Sequence, residues 1–169
     1  MTTDQTTHPE MHHGGGGGNQ ERAASIANDQ QLAYALLRCA LGTAFLMHFV
    51  PRLFGGIDTF AENMVKDFAN TALPALLVRP FALALPFVEG ILGVLLIAGF
   101  RTREAIVAVV AVMLLLIFGS SLQNGWQAVS IQLLYVLLAY ILLAQRSASN
   151  TLSVDGLIAR RNAKSSQQA

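Results

Sequence analysis

The sequence predicts an all-α integral membrane four-helix bundle with a short amphipathic helix between its first two spans. Three observations carry that reading. The chain is 53% apolar and only 12% charged, about half the usual charged share, which places it in a membrane class. It holds four apolar stretches, at about 32–50, 81–100, 105–122 and 128–144, each near the ~20 residues that cross a bilayer as a helix. Lysine and arginine are distributed unevenly over the segments between them, as in a chain with a fixed orientation. The length suits one domain.

The chain opens on a polar segment, residues 1–30, with five consecutive glycines and no aromatic residue before Tyr34. Such a composition cannot bury enough apolar surface to offset its ordering entropy, so disorder is expected. His8, His12 and His13 lie in it, but no cysteine or further histidine completes a metal-ligand pattern, and a solvated tail is the expectation. The segment lacks the basic start, apolar core and small-residue cleavage site of a secretory signal, which makes span one an uncleaved anchor.

Span one is expected to kink or end at Pro51, which has no N–H to offer Met47, and Gly55-Gly56 to break it. From Ile57 to about residue 70, Ile57, Phe60, Met64 and Phe68 recur at three- and four-residue steps, with Asp58, Glu62, Lys66 and Asp67 between them. This is an amphipathic helix, too charged to span, lying in the interface plane or over the bundle. Span two is expected from about Phe81, with Pro86 in its first turns, where a missing donor costs least. Gly90 and Gly93 offer a close helix approach. A four-residue turn, Arg101–Glu104, leads to span three, and a short turn holding Trp126 leads to span four. Residues 147–169 are polar and basic, with one or two amphipathic turns at most around SVDGLIARR.

Four spans place both termini on one side. With the termini inside, that side carries Arg22, Arg101, Arg103, Arg146, Arg160, Arg161 and Lys164, and the other carries Arg52, Lys66 and Arg79. The imbalance predicts cytoplasmic termini. The near-even overall charge, 11 basic against 10 acidic residues, gives no reason to propose nucleic acid as a partner. The single cysteine, Cys39, excludes an intrachain disulfide.

Polar side chains inside the spans need a reason, because an ionisable group in hydrocarbon must be paired, neutralised or wet. His48 and Arg52 share one face at the outer end of span one. Glu89 stands about eight residues into span two, roughly 12 Å deep, in the same outer half. Ser120 and Ser121 close span three there, and Gln132 and Tyr135 open span four. His48 and Glu89 are therefore candidates for proton relay, and Arg52, Gln132, Tyr135, Ser120 and Ser121 for binding in a polar pocket. A staple between two helices explains the same residues equally well. Arg38, nearer the inner end, is expected to snorkel to the headgroups. No paired cysteines, phosphate-cradling glycine loop or second membrane histidine is present, so neither an iron–sulfur cluster nor a two-ligand haem is expected.

The segments LRCALGTAFLMHFVPRLFGG and FALALPFVEGILGVLLIAGFRTREA, followed by an apolar third span and a fourth after a short turn, resemble the DoxX/DoxD-like family of small bacterial membrane proteins. The likeness covers about Leu37 to Ala144. The family's span-one ending of histidine, basic residue and Leu-Phe-Gly maps to His48, Arg52, Leu53, Phe54 and Gly55, with arginine here where lysine is common. Its span-two glutamate and glycines map to Glu89, Gly90 and Gly93, and its Thr-Arg turn to Thr102-Arg103. The resemblance implies an inner-membrane subunit of a quinone-linked oxidoreductase, with quinone as a non-covalent ligand and a partner subunit or a second copy of the chain beside it. A non-catalytic anchor for a partner enzyme stays open. A small-solute carrier ranks last, because no internal repeat with broken helices is evident.

Overall fold

A computed structural model of the chain describes residues 16–149, 153–155 and 161. Five helices account for most of it: α1 (Gly16–Gly55), α2 (Ile57–Asp67), α3 (Ala75–Ala98), α4 (Thr102–Leu122) and α5 (Trp126–Ser149). There is no strand among the described residues. Four of the helices, all but α2, are long and apolar enough to cross a membrane. They run antiparallel in chain order, so α2 and the α4–α5 turn lie at one end of the bundle and the α3–α4 turn lies at the other.

α1 is far longer than the first apolar stretch. Its 40 residues extend about 60 Å at 1.5 Å per residue, about twice the hydrocarbon thickness of a bilayer. The expectation of disorder thus does not hold for residues 16–30, while residues 1–15, with their three histidines, lie outside the described residues. The reason is local. Glu21, Arg22, Ala23, Ala24 and the glutamines favour helix, and they extend a helix already nucleated in the apolar span, so no nucleation cost opposes them. Side chains from Ala24 to Gln30 are exposed, so this extension protrudes from the bundle rather than packing on it.

Three prolines lie within helices rather than at their ends. α1 passes through Pro51 and ends at Gly55. α3 begins at Ala75, not near residue 81, and contains both Pro80 and Pro86. Pro74, extended at φ −71° and ψ 145°, starts it, accepting at its carbonyl from the N–H of Leu77 and Val78. A proline removes one donor from a helix but leaves its apolar side chains free to pack; Val78, Ala82, Leu85 and Pro86 itself are buried, and that burial outweighs the lost bonds. α3 ends in a Schellman turn. The N–H of Phe100 reaches the carbonyl of Leu95, that of Gly99 reaches Leu96, and Gly99 takes the left-handed conformation such a turn requires at φ 67°. The glycine break between α1 and α2 stands as expected, with Gly56 at φ 95°.

α1 packs most extensively on α3. Their backbones cross where Gly42 and Gly93 face each other: a Cβ on either would lie 2.8–2.9 Å from the other's carbonyl oxygen. Tyr34, Leu41 and Phe45 of α1 join Leu85, Leu92 and Leu96 of α3, Ile106, Val109 and Met113 of α4, and Ala139 and Leu142 of α5 in one core. Outward faces stay apolar, with Ile91, Val94, Leu114, Leu133 and Leu137 among many exposed side chains. Hydrophobic surface on the outside of such helices is the signature of a lipid-facing bundle.

Candidate functional site

The charged residues of spans one and two meet. Arg52 Nη1 donates to Glu89 Oε2 and forms an ion pair with it. Glu89 is 2% exposed and Arg52 24%, so the carboxylate lies inside while the guanidinium reaches toward the end of the bundle. α2 supplies a cover: the Phe60 ring sits 4.3 Å from Arg52 Cζ, a cation–π contact that holds the guanidinium over the pair. Gly90, next to Glu89, brings α3 against the Phe49 ring. The pair is therefore fixed by three elements, and the fold explains how a carboxylate is tolerated at this depth.

His48 does not join that ion pair. Its ring stands 6.4 Å from Tyr135 of α5, and Tyr135 in turn makes an edge contact with Phe45 at 6.0 Å. Gln132 and Ser120 do meet, the amide Nε2 donating to the hydroxyl oxygen at 3.0 Å. Gln132 Oε1 remains buried without a hydrogen bond. Ser121 turns away: its hydroxyl donates to the Ile117 carbonyl at 2.7 Å within α4, a helix-internal bond that uses up the group. The predicted constellation is thus one ion pair, Arg52 with Glu89, one hydrogen bond, Gln132 to Ser120, and a tilted ring contact of His48 with Tyr135. Ser121 stands apart.

A cavity of about 230 Å³ lies at this end of the bundle, between α2, α3 and α4. Met64, Phe68, Phe81, Leu115, Phe118 and Gly119 line it, and no ionisable side chain does. Phe68 enters over Gly119, where an added Cβ would stand 3.1 Å from its ring. The cavity suits an apolar chain in contact with lipid, and Glu89 is not part of its lining.

The opposite end holds a polar cluster that the sequence did not point to. Arg38 does not snorkel: it is 3% exposed. It lies beneath the α3–α4 turn, where a Cβ added to Gly99 would overlap both the Arg38 guanidinium and the Ser153 Cβ. The turn is covered by a return of the chain. Asp155 Oδ1 accepts from the Arg101 N–H at 2.9 Å and Oδ2 from the Thr102 N–H at 2.8 Å, and the Asp155 N–H donates to the Gly99 carbonyl at 3.1 Å. Arg101, left-handed at φ 47°, gives α4 no cap of its own, so Asp155 caps that helix from a distant segment. Burial alone would raise its carboxyl pKa, but the N–H groups of Thr102 and Arg101 outweigh this and hold it below the usual carboxylate range. Residues 147–169 are consequently not tail throughout. The only hint in the sequence was Ser-Val-Asp-Gly, a common turn pattern, and nothing local identifies a partner more than fifty residues away. Among the described residues, no three histidine, cysteine, aspartate or glutamate side chains stand close enough to hold a metal.

A protein-family model described as DoxX matches residues 33–120. The match runs from the buried part of α1 through the ion pair and the α3–α4 turn to the end of α4. No curated protein and no solved structure matches the chain.

Proposed function

The chain belongs to the DoxX family, and on that basis we propose that it is the membrane subunit of a quinone-linked redox complex in the bacterial inner membrane. The observation that carries the reading is the ion pair itself. Glu89 is almost fully buried, and its charged partner, Arg52, opens toward the bundle end. That end faces outward by the basic-residue asymmetry. A carboxylate held so deep is costly, and a group retained at such cost within a span is a functional candidate. A quinone takes up a proton with each electron on full reduction. Glu89 would pass that proton, Arg52 would hold the carboxylate in place between transfers, and His48 with Tyr135 would form the next polar station. Electrons are assigned to a partner subunit, since the sequence offers no paired cysteines and only one membrane histidine.

A second reading, that the chain anchors a partner enzyme without chemistry of its own, is favoured by Phe60, which covers the pair as a structural staple would be covered. Glu89→Gln separates the two. If Glu89 relays protons, the variant inserts and assembles normally but loses quinone reduction by the complex about 100-fold or more, the usual range for losing a proton-transfer group. If the pair is a staple, activity is retained and only thermal stability falls. Lipid extracted from the purified protein supplies an independent check: quinone above the level of the surrounding membrane supports the redox reading, and its absence alongside a co-purifying soluble enzyme supports the anchor.

A further inference from the structure

We propose that the cavity between α2, α3 and α4 is a phospholipid site that takes one acyl chain. The consecutive spans α3 and α4 are joined by a tight turn at one end. They leave this cavity between them at the other, beneath α2. α3 meets α4 far less extensively than it meets α1, so helix packing does not close the space. Its walls are carbon: Met64 and Phe68 from α2, Val78 and Phe81 from α3, Leu115 and Phe118 from α4. The mouth is lateral. Leu77, Leu115 and Phe118 line the cavity and are also 56–59% exposed on the outside of the spans, the surface that faces lipid. The cavity thus continues the lipid-facing surface inward.

What fills it follows from size, access and depth. A volume of about 230 Å³ is about one and a half times the ~150 Å³ of an apolar cavity that stays dry and takes up benzene. Water gains nothing there, because a buried water needs two or more polar partners and the lining offers no polar side chain. An empty space would cost the lining its dispersion contacts. A mouth open to hydrocarbon admits hydrocarbon. Phe118 and Leu115 stand one and two turns before the end of α4 at Leu122, roughly 6 and 10 Å down the helix. α4, at 21 residues, is about as long as the hydrocarbon layer is thick. That depth is where an acyl chain begins beneath its headgroup, so a phospholipid reaches the mouth with its headgroup still at the surface. On the aqueous side α2 closes the cavity, with Phe68 standing over Gly119, where an added Cβ would come within 3.1 Å of its ring. α2 also carries Phe60, one turn before Met64, over Arg52. A seated chain is therefore part of the bed on which the cover of the Arg52–Glu89 pair rests. The redox reading does not enter this inference, which stands on the cavity alone.

The test uses the full chain with Trp126→Phe, which removes the single native tryptophan, and one reporter in its place. The reporter is Phe118→Trp in the cavity wall, or Ile131→Trp, exposed on α5 at similar depth. Each protein is reconstituted in vesicles of phosphatidylcholine brominated on its acyl chains, which quench tryptophan on contact, and then diluted into excess detergent. Ile131→Trp is expected to recover its fluorescence as surrounding lipid is stripped, while Phe118→Trp keeps most of its quenching. Val78→Phe with Leu115→Phe, which together fill the cavity, should abolish that retained quenching and leave the quenching before dilution unchanged. Recovery of Phe118→Trp alongside Ile131→Trp would overturn the proposal, and so would retained quenching that survives filling. Native mass spectrometry of the unsubstituted protein, which does not depend on any variant folding, is expected to show a species heavier by one phospholipid. Lipid-free protein alone, or a bound mass matching an isoprenoid quinone in place of phospholipid, would equally overturn it.

Discussion

At the scale of single residues, the buried carboxylate of Glu89 is tolerated by pairing with Arg52. Removing one member of a buried pair leaves the other uncompensated, which costs about 3–5 kcal/mol, whereas removing both is far milder. Arg52→Ala is therefore expected to lower the melting temperature in detergent more than Arg52→Ala combined with Glu89→Gln. A double-mutant cycle by thermal melting measures the coupling, and strictly additive effects would show that the two side chains do not interact. Asp155 yields a prediction in pH. Its carboxyl pKa is depressed in the folded chain, so its contribution is present above the unfolded value, about 3.9, and lost as pH falls through the lower folded value. The melting temperature in detergent should therefore keep this contribution from neutral pH to about 5 and lose it only under stronger acid, and Asp155→Asn should remove that acid-dependent loss. The same acid-dependent loss in Asp155→Asn would assign it to another group.

At the scale of elements, the molecule is governed by where backbones approach and where helices are capped. The α1–α3 crossing depends on Gly42 and Gly93, which leave no room for a Cβ. Gly93→Leu must force the helices apart and is expected to destabilise by at least about 1–3 kcal/mol, the range for overpacking a filled interior. Gly55→Ala, at a glycine with open space around it, should change melting little. Comparing the two variants by melting in the same detergent separates a steric crossing from a general dislike of lost glycine. α2 is held by apolar anchors, with Phe60 on Arg52 and Phe68 on Gly119, while its charged face points outward. That division explains why an amphipathic helix of only 11 residues keeps a defined place on the bundle.

At the scale of the whole molecule, four apolar helices present lipid-facing side chains and carry one charged centre toward each end. From the division of the basic residues we propose that the termini face the cytoplasm. A reporter active only in the periplasm, fused after Ala169, is expected to be silent, and the same reporter inserted in the Gln123–Gly125 turn is expected to be active. The reverse pattern would invert the bundle and move the Arg52–Glu89 pair to the inner side.

What the sequence determined by itself was everything governed by composition and by regular spacing along one segment. The four spans, the amphipathic α2 and the glycine break at Gly55-Gly56 are local properties, because bilayer thickness and helical period translate directly into residue counts. The depth of Arg52 and Glu89 followed from the same arithmetic, which made them plausible partners. Only the tertiary structure decided which polar groups meet. His48 turns to Tyr135 rather than to Glu89, Ser121 bonds within its own helix, and these choices depend on helix rotation, to which residue depth is blind. The proline-bearing start of α3 belongs here too, since packing of Val78, Ala82 and Leu85 overrides a local rule. The covering of Arg38 was the least legible feature. It is made by side chain and backbone from a segment distant in sequence, and a capping contact between segments so far apart has no period, run or spacing that a linear reading can detect.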